Sequence, residues 1–246
     1  TVANRAGPHR EGPFVKGAIV VTGAARGIGR AIAETLSANG PTTVIGVDLA
    51  PELALSEHIT PVQVDLTSDS GPDLVRRAVE ESGVPLIGLV NNAGITRDSR
   101  LVNMTDDDFR LVLDVNLGAA YRLTTELAPL MSDGGAVVNI ASRAYLGNFG
   151  QYNYSMSKGG LVGMTRALAL SLAPAVRVNA VAPGLIATEM SLGIPEEIRD
   201  KMVDAIPLQR MGKPEEIANT VWWLLNPLSS YITGEVIVVG GGRSLS

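Results

Sequence analysis

The 246-residue sequence contains no cysteine. That excludes disulfides, thiolate nucleophiles, iron–sulfur clusters and cysteine-ligated zinc, and it fits a reducing, cytoplasmic setting. Aromatic residues are scarce at 4%, so Val, Ile, Leu and Ala must fill the interior. Charged residues reach only 18% against 46% hydrophobic, which argues against a disordered or polyelectrolyte chain. Lys and Arg total 20 against 25 Asp and Glu, for a net charge of −5; with no basic stripe, nucleic acid is not expected as a partner. Long apolar runs are missing too. The longest charge-free stretch, 217–234, is broken by Asn226-Pro227 and Ser229-Ser230 and does not read as a membrane span. Residues 1–16 carry Gly7-Pro8 and Gly12-Pro13 among charges, without the apolar core of a secretion signal, and read as a flexible N-terminal arm. A soluble protein is expected.

What the chain has in plenty is glycine, 27 residues against a usual share of ~7%, and a regular alternation of elements. AIVVTG is a buried strand, followed by the helical segment RAIAETLSANG, which stops at Asn39-Gly40-Pro41. TTVIGVD and PVQVD are strands, 72–83 a helix, and PLIGLVNNAG a strand. Thr105 with Asp108 can form a capping box opening a helix over 106–130. The acidic run Asp106-Asp107-Asp108 suits a helix N-terminus better than a metal site, and no metal is expected. GAVVNIAS is a strand, 151–174 a long helix, VRVNAVAP a strand, 214–226 a helix, and GEVIVVGG the last strand. Such alternation predicts one α/β domain over 17–246: a Rossmann-type, doubly wound parallel sheet of about seven strands with helices on both faces. Its ligand crevice should lie at the carboxyl ends of the strands.

Thr22-Gly23-Ala24-Ala25-Arg26-Gly27-Ile28-Gly29 joins the first strand to the first helix. Glycines there permit a tight turn and let a pyrophosphate approach the helix N-terminus. Asp48 ends the second strand, where a carboxylate can accept from the adenosine ribose hydroxyls and disfavours a 2′-phosphate. Arg26 pulls the other way, since a guanidinium can pair with that phosphate; NAD(H) is favoured and NADP(H) stays open. Asp65 ends the third strand, placed to meet the adenine amino group, and Asn92-Ala93-Gly94 ends the fourth, with small residues leaving room for a ribose and Asn able to brace the strands.

Tyr154 and Lys158 are four apart on a helix and share a face. A nearby ammonium is expected to lower a phenol pKa toward the range of acid–base work. Ser142 follows the strand GAVVNIAS, and Asn116 is a polar residue on an otherwise apolar stripe.

TGAARGIG, NNAG, the Ser142 segment, YSMSK and the Pro183-Gly184 segment together resemble the short-chain dehydrogenase/reductase family over residues 17–242. The resemblance implies that Tyr154 is the proton donor or acceptor, that Lys158 holds the nicotinamide ribose and depresses the Tyr154 pKa, that Ser142 orients the carbonyl, and that Asn116 supports a water relay to Lys158. It implies cofactor contacts from the turn residues Gly23, Arg26, Gly27, Ile28 and Gly29, from Leu66 beside Asp65, from Pro183 and Gly184, and from Ile186 and Thr188 at the nicotinamide carboxamide. Residues 189–210 would form a mobile lid, and helices 106–130 and 151–174 would assemble a homotetramer.

Within the family, NNAGITRD, GQYNYSMSK and NAVAPGLIATEM are most similar to the 3-oxoacyl-(acyl-carrier-protein) reductases and acetoacetyl-CoA reductases. The implied reaction is reduction of a 3-oxoacyl thioester, with an acyl carrier protein among the carriers the likeness allows. Arg143, Arg166 and Arg210 are candidates to meet an anionic carrier. Other secondary alcohols or ketones are the alternative substrates, and a dinucleotide-sensing scaffold without chemistry the remote one. Three features depart from the pattern. Ser142 and Tyr154 are twelve apart, one fewer than usual, which bears on the loop of Tyr145 and Phe149; ALALSLAPAVRVN lacks an acidic residue and one loop position; and Asp48 is unlike the NADPH-preferring reductases of fatty-acid synthesis.

Overall fold

The computed structural model describes residues 16–40, 42–50 and 55–243. The expected N-terminal arm lies outside them except for Lys16. Seven strands form one parallel sheet: β1 (Ala18–Thr22), β2 (Thr43–Asp48), β3 (Ile59–Gln63), β4 (Leu86–Asn91), β5 (Met131–Ile140), β6 (Val176–Pro183) and β7 (Val236–Val239), in the order β3-β2-β1-β4-β5-β6-β7. The order reverses between β1 and β4, so a crevice opens at the carboxyl ends of those two strands.

Strand alternation builds two cores. Ile19 and Val21 of β1, with Ala136, Val138 and Ile140 of β5, face one side, where helices α1 (Gly27–Ala38) and α8 (Pro214–Leu225) bury Ile32, Leu36, Ile217 and Leu224. Ala18, Val20 and Val137 face the other, under helices α2 (Gly71–Glu81), α4 (Ala119–Leu127) and α5 (Tyr152–Leu172). Both faces of the sheet are covered, which is why β1, β2 and β4 read as continuous apolar runs.

A single helix was expected over 106–130. The chain instead forms α3 (Asp106–Leu113), a π-helical turn over Asp114–Gly118, and α4. Of the expected capping box only half forms: Thr105 Oγ1 accepts from the Asp108 backbone N–H at 3.1 Å, while the Asp108 carboxylate accepts from the Thr105 hydroxyl at 2.8 Å rather than from the Thr105 backbone N–H. The wider turn carries Asn116, whose amide side chain is buried and bonds both polar backbone groups of Ile95, holding the helix against the loop after β4. Two short helices, α6 (Glu189–Leu192) and α7 (Glu196–Asp204), occupy the segment after β6 where a lid was expected. Among the described residues no helix is long and apolar enough to cross a membrane.

Candidate active site

A cleft of about 1030 Å³ opens along the strand ends, lined by residues of the glycine turn, the β2, β3 and β4 ends, α5 and the segment after β6. Its two halves are built differently.

The first half is made by backbone. Gly23 and Gly27 take φ of +67° and +56°, a region that side-chain-bearing residues rarely adopt. A Cβ on Gly29 would stand 1.9 Å from the Gly23 carbonyl oxygen. Nothing larger fits there, so the turn folds directly onto the start of α1. That helix begins with no side-chain cap and no acidic residue in its first turn. Its free N–H groups are therefore available to an anion. Asp48 fastens the turn: Oδ2 accepts from Ala25 N–H at 2.9 Å and Oδ1 from Ala50 N–H at 3.1 Å. Each carboxylate oxygen keeps lone-pair capacity for a ligand hydroxyl. The Asn92 amide donates to the Thr22 and Gly23 carbonyls at 2.9 and 3.2 Å, bracing β4 against β1. Asp65 accepts from the Thr67 N–H and hydroxyl at 2.8 and 2.6 Å, which holds its carboxyl below the ordinary value. Leu66, Ala93 and Ile28 line the same half. An uncapped helix end, a cradle that a Cβ would fill, and an acceptor fixed at the β2 end together fit a dinucleotide.

The second half is made by side chains. Lys158 is 3% exposed, and its ammonium donates to the Ile140 carbonyl at 2.8 Å and lies 5.6 Å from the centre of the Tyr154 ring. Burial lowers its pKa to about 8. Asn116 donates to Ser157 Oγ at 3.0 Å, and Ser157 in turn donates to the Tyr154 carbonyl at 2.8 Å. Gly94 sits between the two groups: a Cβ there would lie 3.2 Å from Asn116 Oδ1 and 3.4 Å from Lys158 Nζ. Ser142 caps a short 3₁₀ turn, Arg143–Leu146, accepting from Ala144 N–H at 3.1 Å. The loop between this turn and Tyr154 leaves Phe149 exposed.

The Tyr154 phenol departs from expectation. The Tyr–Lys spacing predicts a lowered pKa, yet burial pushes it above the ordinary value, the exposed Asp98 carboxylate pushes the same way, and hydrogen bonding with Ser142 opposes them. Desolvation is the largest of these influences and sets the direction.

Pro183 and Gly184 close the floor, where a Cβ on Gly184 would strike Gly240 Cα at 2.7 Å. Ser191 Oγ donates to the Ile186 carbonyl at 2.5 Å and accepts from Thr188 N–H at 2.9 Å, fixing the segment that brings Ile186 and Thr188 to the cleft. Arg26 reaches across to Glu189 at 3.6 Å.

All four proposed catalytic residues thus converge on α5 and its neighbours. Of the three arginines, Arg143 alone lines the cleft; Arg210 is held by Glu216 at 2.6 Å, and Arg166 lies exposed on α5. Sequence reasoning missed Ser157 and Asp98. Ser157 had a signal, a small hydroxyl one residue before Lys158 inside YSMSK; Asp98 had none.

The family described as Enoyl-(Acyl carrier protein) reductase matches residues 23–244. The chain is 44% identical over 241 residues to a 3-oxoacyl-(acyl-carrier-protein) reductase of Aquifex aeolicus, covering 91% of this chain and 95% of that one. It is 43% identical over 230 residues to an acetoacetyl-CoA reductase of a Synechocystis strain, with 92% and 95% covered. A solved structure from Brucella melitensis, described as a short-chain dehydrogenase/reductase, glucose/ribitol dehydrogenase, superposes with a TM-score of 0.87 at 36% identity, over 92% of this chain and 96% of that one.

Proposed function

The chain belongs to the short-chain dehydrogenase/reductase family of oxidoreductases, and from that membership we propose that it reduces the keto group of 3-oxoacyl thioesters, with Tyr154 as proton donor and NAD(H) as the preferred cofactor. The observation that carries this reading is the half-buried phenol of Tyr154, set beside Ser142 and Lys158 on the wall of a dinucleotide-fitting cleft. A bound reduced nicotinamide dinucleotide supplies the hydride that adds to the carbonyl carbon.

The remaining work belongs to this chain. The α1 N-terminus, with Gly23, Gly27 and Gly29, takes the pyrophosphate; Asp48 takes the ribose hydroxyls; and Asp65 takes the adenine. Ile186 and Thr188 meet the carboxamide. Ser142 donates a hydrogen bond to the substrate carbonyl, and Tyr154 gives its proton to the oxygen as negative charge grows there. A phenol held above its usual pKa is fully protonated at neutral pH, the state a reductase needs at the start. Lys158 stabilises the tyrosinate left behind, and its value of about 8 allows it to return the proton. Asn116, locked by Ile95 and Ser157, keeps an acceptor beside Lys158 for a water relay.

Preference for NAD(H) follows from Asp48. A carboxylate at the β2 end disfavours a 2′-phosphate beside it, since like charges ~4 Å apart repel by up to roughly 4 kcal/mol at a surface-type dielectric. Arg26, whose charge works in the opposite direction, faces Glu189. The names of the Aquifex and Synechocystis relatives support the thioester substrate, and the Brucella structure's name supports other secondary alcohols as the second reading. Carriers would include coenzyme A or an acyl carrier protein. The exposed Leu111, Tyr121 and Met156 on α3, α4 and α5 support a homotetramer, which sedimentation checks. The functional test is steady-state oxidation of NADH and NADPH with acetoacetyl-CoA. Turnover favouring NADH is expected; no turnover on any 3-oxoacyl thioester removes the substrate class.

A further inference from the structure

A chain of four polar side chains crosses the core between the sheet and the helices on its α5 side. Asn91 of β4 and Asn139 of β5 stand opposite each other in the strand register. The Asn91 amide donates to Thr124 Oγ1 on α4 at 2.9 Å and to Asn139 Oδ1 at 2.8 Å, and the Asn139 amide donates to Thr165 Oγ1 on α5 at 2.9 Å. None of the four is more than 4% exposed. The two threonine hydroxyls donate to carbonyls of their own helices, Ala120 and Leu161, each at 2.7 Å, so toward the sheet they only accept. The chain therefore runs one way, and turning the Asn139 amide over would set its NH₂ against that of Asn91. Stability does not account for it. Asn91 Oδ1 has no partner among the described residues, and a buried acceptor left unpaired is costly, whereas apolar pairs of the same shape are often neutral. What directional bonds add is register, as one buried asparagine does in a coiled coil. The α5 helix has need of that: Leu161 and Val162 are its only buried apolar side chains larger than alanine, and a Cβ at Gly159 or Gly163 would meet nothing within 4 Å. Apolar contact is non-directional and resists a slide or rotation of such a helix weakly.

We propose that Asn139 and Thr165 are positioning residues, whose hydrogen bond sets the place of α5 on β5 and with it the geometry of the reacting groups. This rests on the reading that Ser142, Tyr154 and Lys158 carry the chemistry. Those three come from two separate elements. Ser142 is delivered by the end of β5, three residues after Asn139; Tyr154 and Lys158 are delivered by α5, with Thr165 seven residues beyond Lys158, two turns along the same face. The bond from Lys158 Nζ to the Ile140 carbonyl, at 2.8 Å, is the catalytic end of the same contact, since Ile140 directly follows Asn139. Asn91, itself held to α4 through Thr124, buttresses the Asn139 amide from behind. A small slip of α5 would thus move the phenol and the ammonium together, away from Ser142, without touching the glycine turn that takes the dinucleotide.

The experiment compares wild type with Thr165→Val, which keeps the shape and removes the acceptor, with Thr165→Ser, which keeps the acceptor, and with a double variant joining Asn139→Leu to Thr165→Val. Three quantities are read on each folded protein: kcat with acetoacetyl-CoA, dinucleotide affinity by fluorescence titration, and ionisation of the Tyr154 phenol by ultraviolet difference against the same background carrying Tyr154→Phe. Thr165→Val should lose kcat by about tenfold or more, the scale of a misplacement below 1 Å, with dinucleotide affinity little changed and the phenol ionising nearer the ordinary tyrosine value. Thr165→Ser should restore both kcat and the phenol. The double variant should stay as slow as Thr165→Val even where its unfolding midpoint in denaturant recovers, and it carries the comparison if Thr165→Val alone does not fold. Wild-type kcat in Thr165→Val overturns the proposal, as does a kcat that recovers with stability in the double variant, or one as poor in Thr165→Ser as in Thr165→Val. If wild type turns over no 3-oxoacyl thioester, the substrate reading falls by itself; the phenol titration then decides the inference, and an ionisation unmoved by Thr165→Val overturns it.

Discussion

The two halves of the cleft use opposite materials. At the β1, β2 and β4 ends, glycine backbone, helix N–H groups and a few bracing carboxylate and amide contacts leave no room for an added carbon at Gly23 or Gly29. Beside β5 and α5, the work is done by polar side chains, Asn116 and Lys158 buried and Ser142 and Tyr154 half-buried, and desolvation disfavours the charged forms of the phenol and the amine. The first half should therefore be fragile to volume and the second to changes of protonation and charge. Both follow from one fold: parallel strands end at the same edge, and what each delivers there depends on the few residues after its last sheet bond.

The largest effect expected from breaking this contrast is at Tyr154. Tyr154→Phe keeps the ring and removes the proton, so kcat should fall by ~10²–10⁴-fold, with dinucleotide affinity, read by fluorescence titration, changed far less. Gly29→Ala should do the reverse. Its Cβ cannot coexist with the Gly23 carbonyl, so dinucleotide affinity should drop by tenfold or more, and overpacking should cost ~1–3 kcal/mol in denaturant unfolding. Restored affinity in Gly29→Ala would erase the distinction.

Lys158→Met sharpens it further. Lys158 titrates near 8 when folded against 10.5 for the model amine, a difference worth roughly 3 kcal/mol of burial cost. Below pH 8 the lysine is charged in both states and the cost acts in full. Between pH 8 and 10.5 the folded protein loses the proton first, so wild-type stability rises relative to the variant. Lys158→Met should therefore lose most activity while unfolding at no lower denaturant concentration at pH 7, and any advantage should shrink toward pH 10. The smallest expected effect is at Asp48. Asp48→Asn retains one acceptor for the turn and removes the charge, and should narrow the NADH-over-NADPH ratio of kcat/KM by about tenfold, or 1.4 kcal/mol.

Much of this was legible before any coordinates. Apolar runs ending in Gly, Asp and Asn marked the strands and placed their ends together, and the Thr105–Asp108 box marked where α3 begins. The π-helical turn was not legible, because the hydrophobic period of 106–130 continues through Asp114–Gly118 and only the long-range bonds from Asn116 to Ile95 require the wider turn. Nor was the direction of the Tyr154 shift. Spacing shows that Lys158 is near, but not how far the protein desolvates the phenol, and desolvation decides the sign.

The most direct test is an ultraviolet difference titration of wild type against Tyr154→Phe without dinucleotide, which isolates the ionisation of that one phenol. It should ionise above the ~10 of free tyrosine, and replacing Asp98 by Asn should bring the value down. A phenol that ionises below that value in the same protein would show that Lys158 outweighs burial, contradicting a donor held protonated by its surroundings.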